Sequence, residues 1–455
     1  MNGTDVEGAL RDFFERAQTP EPSAHLRNAT AVARLQAHTV QRGRLRHARL
    51  GLSLVGLAAS IVLASGVLIV VLNRGSSTNV GPAGGASPSA SASAPAISQT
   101  PSSSPHPSST PVPLISMGPP HAFTAVGPMD ASYTLEALLP DGRVLVTGDL
   151  SGTRPLGAAL FDPATGRFSP TGSPTSMHDG GTATTLADGR VLIAGGFDHF
   201  KLVPTSAAEI YDPRTGTFTK TGSLAAQQSG QVAILLRDGR VLIVGGNSGG
   251  GTPAPAPAEL YDPSSGMFEP IVGPSTARYG CLATLLSDGR VLVAGGWTAG
   301  LANSGTGESL TSAEVFDPAT GHFKPVGSMS YRHSLGTLTL LQDGRVLAAG
   351  DARVAELFDP STGRFSPTGA MSLPRQQPVA SLLKDGRVLI AGGSVDLAAT
   401  RIQDLASAEI FDPRTGKFSA TGSMSEPMIG ATATLLQDGR VLIIGGDGSA
   451  ELYRP

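Results

Sequence analysis

The triplet Asp-Gly-Arg begins at Asp141, Asp188, Asp238, Asp288, Asp343, Asp385 and Asp438, seven copies spaced 42 to 55 residues apart. A period near 50 residues is the mark of a propeller or a repeat array, in which each unit is one supersecondary piece that cannot bury its apolar face alone. An apolar run such as "CLATLL" precedes each triplet and one such as "RVLVAGG" closes it. Asp-Gly between two apolar runs is a hairpin signal, because Gly accepts the positive φ that a tight primed turn requires.

After a gap of variable length comes "SAEVFDPATGHF" or a relative of it. There the Asp side chain can accept backbone hydrogen bonds, Pro fixes φ, and Gly takes the left-handed position that closes a second hairpin. A last segment such as "FSPTGSM" then runs out as a fourth strand. Four short antiparallel strands per repeat make one propeller blade. The run "VLIAGG" is continuously apolar, as a strand buried on both faces should be. The reading is an all-β fold, a seven-bladed β-propeller.

The double Gly, the Tyr/Phe-Asp-Pro-x-Thr-Gly turn and the aromatic residue opening the last strand resemble the kelch repeat. Phe168, Phe218, Phe268, Phe323, Phe365 and Phe418 stand where kelch repeats usually carry Trp. The resemblance spans residues 118–455. It implies a propeller of the kind found in binding platforms and, less often, in carbohydrate-active enzymes. "FTAVGPM" at Phe123–Met129 reads as an orphan fourth strand, and "AELYRP" at Ala450–Pro455 as a third strand where the sequence stops. Joined, they would complete the last blade and remove a free sheet edge.

The chain ahead of the propeller is segmented. Residues 1–49 hold eight Arg and five acidic residues and carry +3, with "DVEGALRDFFERA" and "AHLRNATAVARLQAHTV" at helical spacing. Residues 50–73, Leu50 to Asn73, contain no charge. As a helix they would be roughly 36 Å long, enough for a hydrocarbon core of about 30 Å. The run is longer than a cleaved signal's apolar region, which favours an anchor. Arg42, Arg44, Arg46 and Arg49 crowd its N-terminal side and only Arg74 follows, which places residues 1–49 in the cytoplasm and the propeller outside. Residues 74–113, rich in Ser, Pro and Ala, read as a disordered stalk with an end-to-end distance of about 35 Å. The propeller occupies residues 114–455. The overall charge is −3, so residues 114–455 carry −7, and nucleic acid is not an expected partner. One cysteine, Cys281, forbids an internal disulfide and a Cys-rich metal site.

Both hairpin turns of a blade fall on one face, and they barely vary. The Arg of each triplet is expected to pair near the Asp-Pro turns, as Arg190 with Asp212 and Arg240 with Asp262. The opposite face carries the connections that differ, and loops on a rigid scaffold are where binding resides. Trp297 stands at the base of the longest loop and Phe197–Lys201 in the second blade's, where exposed aromatics could stack on sugar rings or pack their own loops. Ten residues before each triplet lie Ala131, His178, Gln228, Arg278, His333, Arg375 and Met428, and the next positions include Asp179, Tyr279, Ser334 and Gln376. These should ring the channel mouth. Arg278, His333 and Arg375, with Tyr279, Gln376 and Tyr331 close by, are expected to form a cationic arc suited to an acidic sugar or a peptide carboxylate. At such rim positions little packing is expected, so replacing both Arg should spare folding. His178 belongs to the same candidate set. Glu136 stands where other repeats have Ala or Leu, and is either water-bonded in the channel or functional.

The resemblance also raises a copper oxidase akin to galactose oxidase, which needs two Tyr, two His and a Tyr–Cys thioether. Tyr279, Tyr331, His178, His333 and Cys281 supply the types, but Cys281 follows Tyr279 by two residues on one strand. A sugar isomerase acting through Glu136 and the channel Arg is a further enzymatic alternative. The primary expectation is a membrane-anchored platform without catalytic residues, metal or cofactor. It recognises a glycan, cell-wall component or protein on its loop face and signals to a cytoplasmic partner.

Overall fold

The computed structural model describes residues 119–127, 132–149, 156–198, 201, 203–247, 258–298, 308–396 and 402–455. The expected cytoplasmic helices, membrane span and stalk lie outside these residues. The described chain forms seven four-stranded antiparallel sheets and two short two-stranded ribbons. The first strands of successive sheets touch in a closed ring, the seventh meeting the first, which is the arrangement of a propeller.

The second strands explain the continuous apolar runs. In blade two, Val191 and Ile193 pack with Leu145 and Leu160 of blade one, while Leu192 and Ala194 pack with Val241 and Ile243 of blade three. Both faces of the strand are therefore seam. Seven such clusters, one per seam, make up the core. Within each blade the third-strand aromatic lies tilted on the fourth-strand Phe, for example Tyr211 on Phe218 with centroids 4.8 Å apart.

The Asp-Gly-Arg hairpin differs from the primed turn expected. Gly189 N donates to Leu186 O at 3.0 Å and Leu186 N to Arg190 O at 2.8 Å, leaving three residues in the loop. Positive φ falls on the Gly alone, +86° at Gly189. This is a type I turn closed by a glycine bulge. The arginine pairing also differs. Arg190 Nε donates to Asp188 of its own triplet at 2.7 Å, and Nη2 reaches the Pro263 carbonyl of the next blade at 3.5 Å. Arg240 likewise binds Asp238 and reaches Pro318, and neither binds the Asp expected of it. Arg440 reaches Pro163 at 2.6 Å, tying the last blade to the first. A guanidinium has donors enough to hold its own turn and span the seam at once.

The termini share one sheet. Ala122–Val126 pairs antiparallel with Ala450–Arg454, with Phe123 opposite Tyr453. Met129 lies outside the described residues.

Candidate functional site

In blades two to seven the crossover from the preceding outer strand passes over the loop face and ends at the ten-back position. These residues lie beneath the mouth and not on its rim. Arg278 and Arg375 are buried. Arg278 donates to the carbonyls of Gly295 and Ser312, at 3.0 and 2.9 Å, and to Glu314 Oε1 at 3.1 Å. Arg375 repeats the pattern with Gly392, Ser407 and Glu409, the last at 3.0 Å. His178 bonds the Gly195 carbonyl through Nδ1 at 2.8 Å, and its Nε2 lies 3.5 Å from Glu209. His333 Nε2 lies 3.4 Å from Glu356. The cationic arc is therefore not a surface, because each guanidinium is already neutralised by a buried carboxylate.

Those carboxylates, Glu209, Glu259, Glu314, Glu356, Glu409 and Glu451, occupy one position in the third strands of blades two to seven. Each accepts a backbone N–H from the incoming crossover, as from Thr175, Ala225, Ser275, Ser330, Ser372 and Ser425, at 2.8 to 3.0 Å. They clamp the crossover to the blade it enters. Their signal was present as a recurrent Glu inside an otherwise apolar strand, since a buried charge requires a partner. At Glu209 and Glu259 the partner decides the ionisation. Burial opposes the Glu209 carboxylate, but His178 and Thr175 outweigh it and hold the group at about 2. At Glu259, whose side-chain neighbour is the neutral Gln228, burial wins and the carboxyl titrates above its ordinary range.

Above the clamps the mouth is built from backbone. Tyr279 and Trp297 exchange N–H···O bonds at 3.1 and 3.0 Å, as do Gln376 and Ser394 at 2.7 and 2.8 Å. Tyr279, Trp297, Phe197 and Gln376 are half-buried in these extensions of the blades, whereas Tyr331 is 38% exposed. Successive blades are then joined round the mouth. Gly230 N donates to Gly180 O at 2.9 Å, Gly280 N to Gly230 O at 3.2 Å, and Gln377 N to Leu335 O at 2.7 Å. At this step Gly180, Gly230, Gly280 and Gly430 of blades two, three, four and seven are left-handed, and Gln377 holds φ +53° in the same position. A non-Gly residue there is strained, which is characteristic of ligand clamps.

Glu136 sits apart, on the innermost strand Ser132–Leu138. It accepts from the hydroxyls of Thr432 and Thr434, the latter at 2.7 Å, on the innermost strand of blade seven. Burial pushes its carboxyl up to about 7 despite these two bonds. It bridges the closing seam.

The donors do not fit an oxidase copper centre. Cys281 lies in the apolar seam of blades three and four, its thiol pushed up to about 11 by burial, and both candidate histidines face clamp carboxylates. Among the described residues no group of three or more His, Cys, Asp or Glu could hold a metal.

Residues 180–225 and 278–330 match the kelch motif. No curated protein matches the chain. Among solved structures it is similar to a fungal alcohol oxidase with catalytic diversity among the AA5 family, in complex with copper. The identity is 18% over 74% of this chain and 76% of that one, with a TM-score of 0.56, which is a likeness of fold. With two segments that match the kelch motif and seven four-stranded blades in one ring, the chain is a β-propeller that carries kelch motifs.

Proposed function

We propose that the protein is an extracytoplasmic recognition platform whose ligand, a glycan or a protein, docks on the loop-face mouth over blades four to six. The observation that carries this is a contrast between faces. The turn face repeats one hydrogen-bond scheme from blade to blade, whereas the mouth places exposed Tyr331 and strained, exposed Gln377 on a hydrogen-bonded rim. With Arg278 and Arg375 internally neutralised, the ligand class moves from acidic groups toward neutral hydroxylated or peptide surfaces, which aromatic faces and amides suit. Anchoring in a membrane with the propeller outside rests on the charge-free run at residues 50–73 and its arginine flank. An oxidase reading has the neighbour's fold in its favour and lacks the donors.

The test is an array of glycans and surface proteins probed with the full chain. A ligand retained on it should bind Tyr331→Ala with Gln377→Gly at least about tenfold more weakly, the loss of one or two good contacts. Unchanged affinity would remove blades four to six as the site.

A further inference from the structure

Blade five departs from its neighbours where the rim passes through it. Its second strand, Val346–Ala349, runs into Gly350-Asp351, where blade one has Gly148-Asp149 and the other five blades a double Gly, and its connection to the third strand is the shortest. Asp351 Oδ2 accepts the Leu335 N–H at 3.2 Å. At the same step Gly230 and Gly280 donate to the preceding blade's carbonyl, so at Leu335 a side chain has taken over a backbone link. Leu335 still accepts from Gln377 N on its other side.

The groups around this carboxylate leave it poorly compensated. Its second oxygen, Oδ1, is buried without a hydrogen-bond partner, as are both ring nitrogens of fully buried His333. His333 faces Glu356 from the third strand, and Glu356 also holds the N–H groups of Ser330 and Tyr331. From blade six, Arg375 presents its backbone N–H to Gly350 and keeps its guanidinium on Glu409. Arg353, two residues on, turns its Nε to the Met371 carbonyl. Among the described residues no Lys or Arg is fixed on Asp351.

We propose that Asp351 makes the blade-five link of the mouth ring proton-sensitive, so that its protonation loosens the rim at Leu335 and Gln377. The proposal rests on the mouth being the docking surface, and its test is independent of any ligand. An ionised carboxylate makes a charge-assisted bond to Leu335 N–H roughly twice as strong as the neutral acid makes. Burial raises the carboxyl from 3.8 to about 6, against the pull of Leu335 N–H, His333 and the N–H groups of Ser334 and Asp351 itself, so the change falls in a mildly acidic range. The links at Gly230 and Gly280 have no titrating partner and should not respond.

Hydrogen–deuterium exchange of the full chain, read by mass spectrometry, tests this. The protection of the segment containing Leu335 is divided by that of the segment containing Gly230 to cancel the intrinsic pH dependence. Between about pH 7.5 and pH 5 the ratio should fall roughly tenfold as the charge-assisted part of the bond is lost. In Asp351→Asn it should be flat. Asp351→Gly restores the double Gly of five other blades, so it keeps the test intact if the Asn variant misfolds, and it too should be flat. A wild-type ratio that does not move, or a step that persists in a folded variant, overturns the proposal.

Discussion

At the scale of single residues, the Arg–Glu clamps tie binding-like side chains to folding. Arg375 and Glu409 are both buried, so removing one partner strands a charge. Arg375→Ala should cost about 3–5 kcal/mol, read as a fall in the denaturant midpoint, and the double change Arg375→Leu with Glu409→Leu should recover much of it. A near-neutral Arg375→Ala would mean the clamp is not what holds the crossover. Glu136 works in the opposite sense. Its folded value lies above the ordinary 4.5, at about 7, so the folded chain keeps a proton that the unfolded chain releases between those values. Stability should therefore decline as pH rises through that window. Because the side chain is only half-buried, the effect should be of order 1–2 kcal/mol. Glu136→Gln should remove the slope and raise the melting temperature at pH 8, and a slope unchanged by the substitution would assign it elsewhere.

At the scale of strands, the closing blade depends on Ala122–Val126, which supplies a whole edge strand and the Phe123 ring against Tyr453. A chain truncated after Val126 should melt well below one truncated before Pro119 and should aggregate, since Ala450–Arg454 becomes a bare edge. Equal melting would show that the seventh blade closes without it. Repeats made this level legible: the turn residues, the apolar second strands and the aromatic opening the fourth strand recur at fixed offsets, and each offset has one structural solution. What repeats could not convey was depth. Arg278 and Arg375 vary between blades as rim residues do, yet each is one half of a pair whose other half, Glu314 and Glu409, scarcely varies. A constant Glu looks like scaffold, so the burial of its variable partner is not legible in the sequence. The seam-spanning reach of Arg190 to Pro263 was hidden for a different reason, since it joins residues 73 apart in the chain.

At the scale of the whole molecule, one face is locked and the other is free to differ. On the turn face, Arg fingers span five seams between blades, Arg440 to Pro163 included. The mouth face carries the connections of unequal length, the exposed Tyr331 and the strained Gln377. Under the proposed function, ligands meet the second face. The most direct measurement is a hydrogen-exchange footprint of the full chain with and without a ligand recovered from the array. New protection should fall on the segments around Trp297, Tyr331–Leu335 and Gln376–Gln377 and leave the Asp-Gly-Arg and Asp-Pro turns unchanged. Protection confined to those turns would contradict the account.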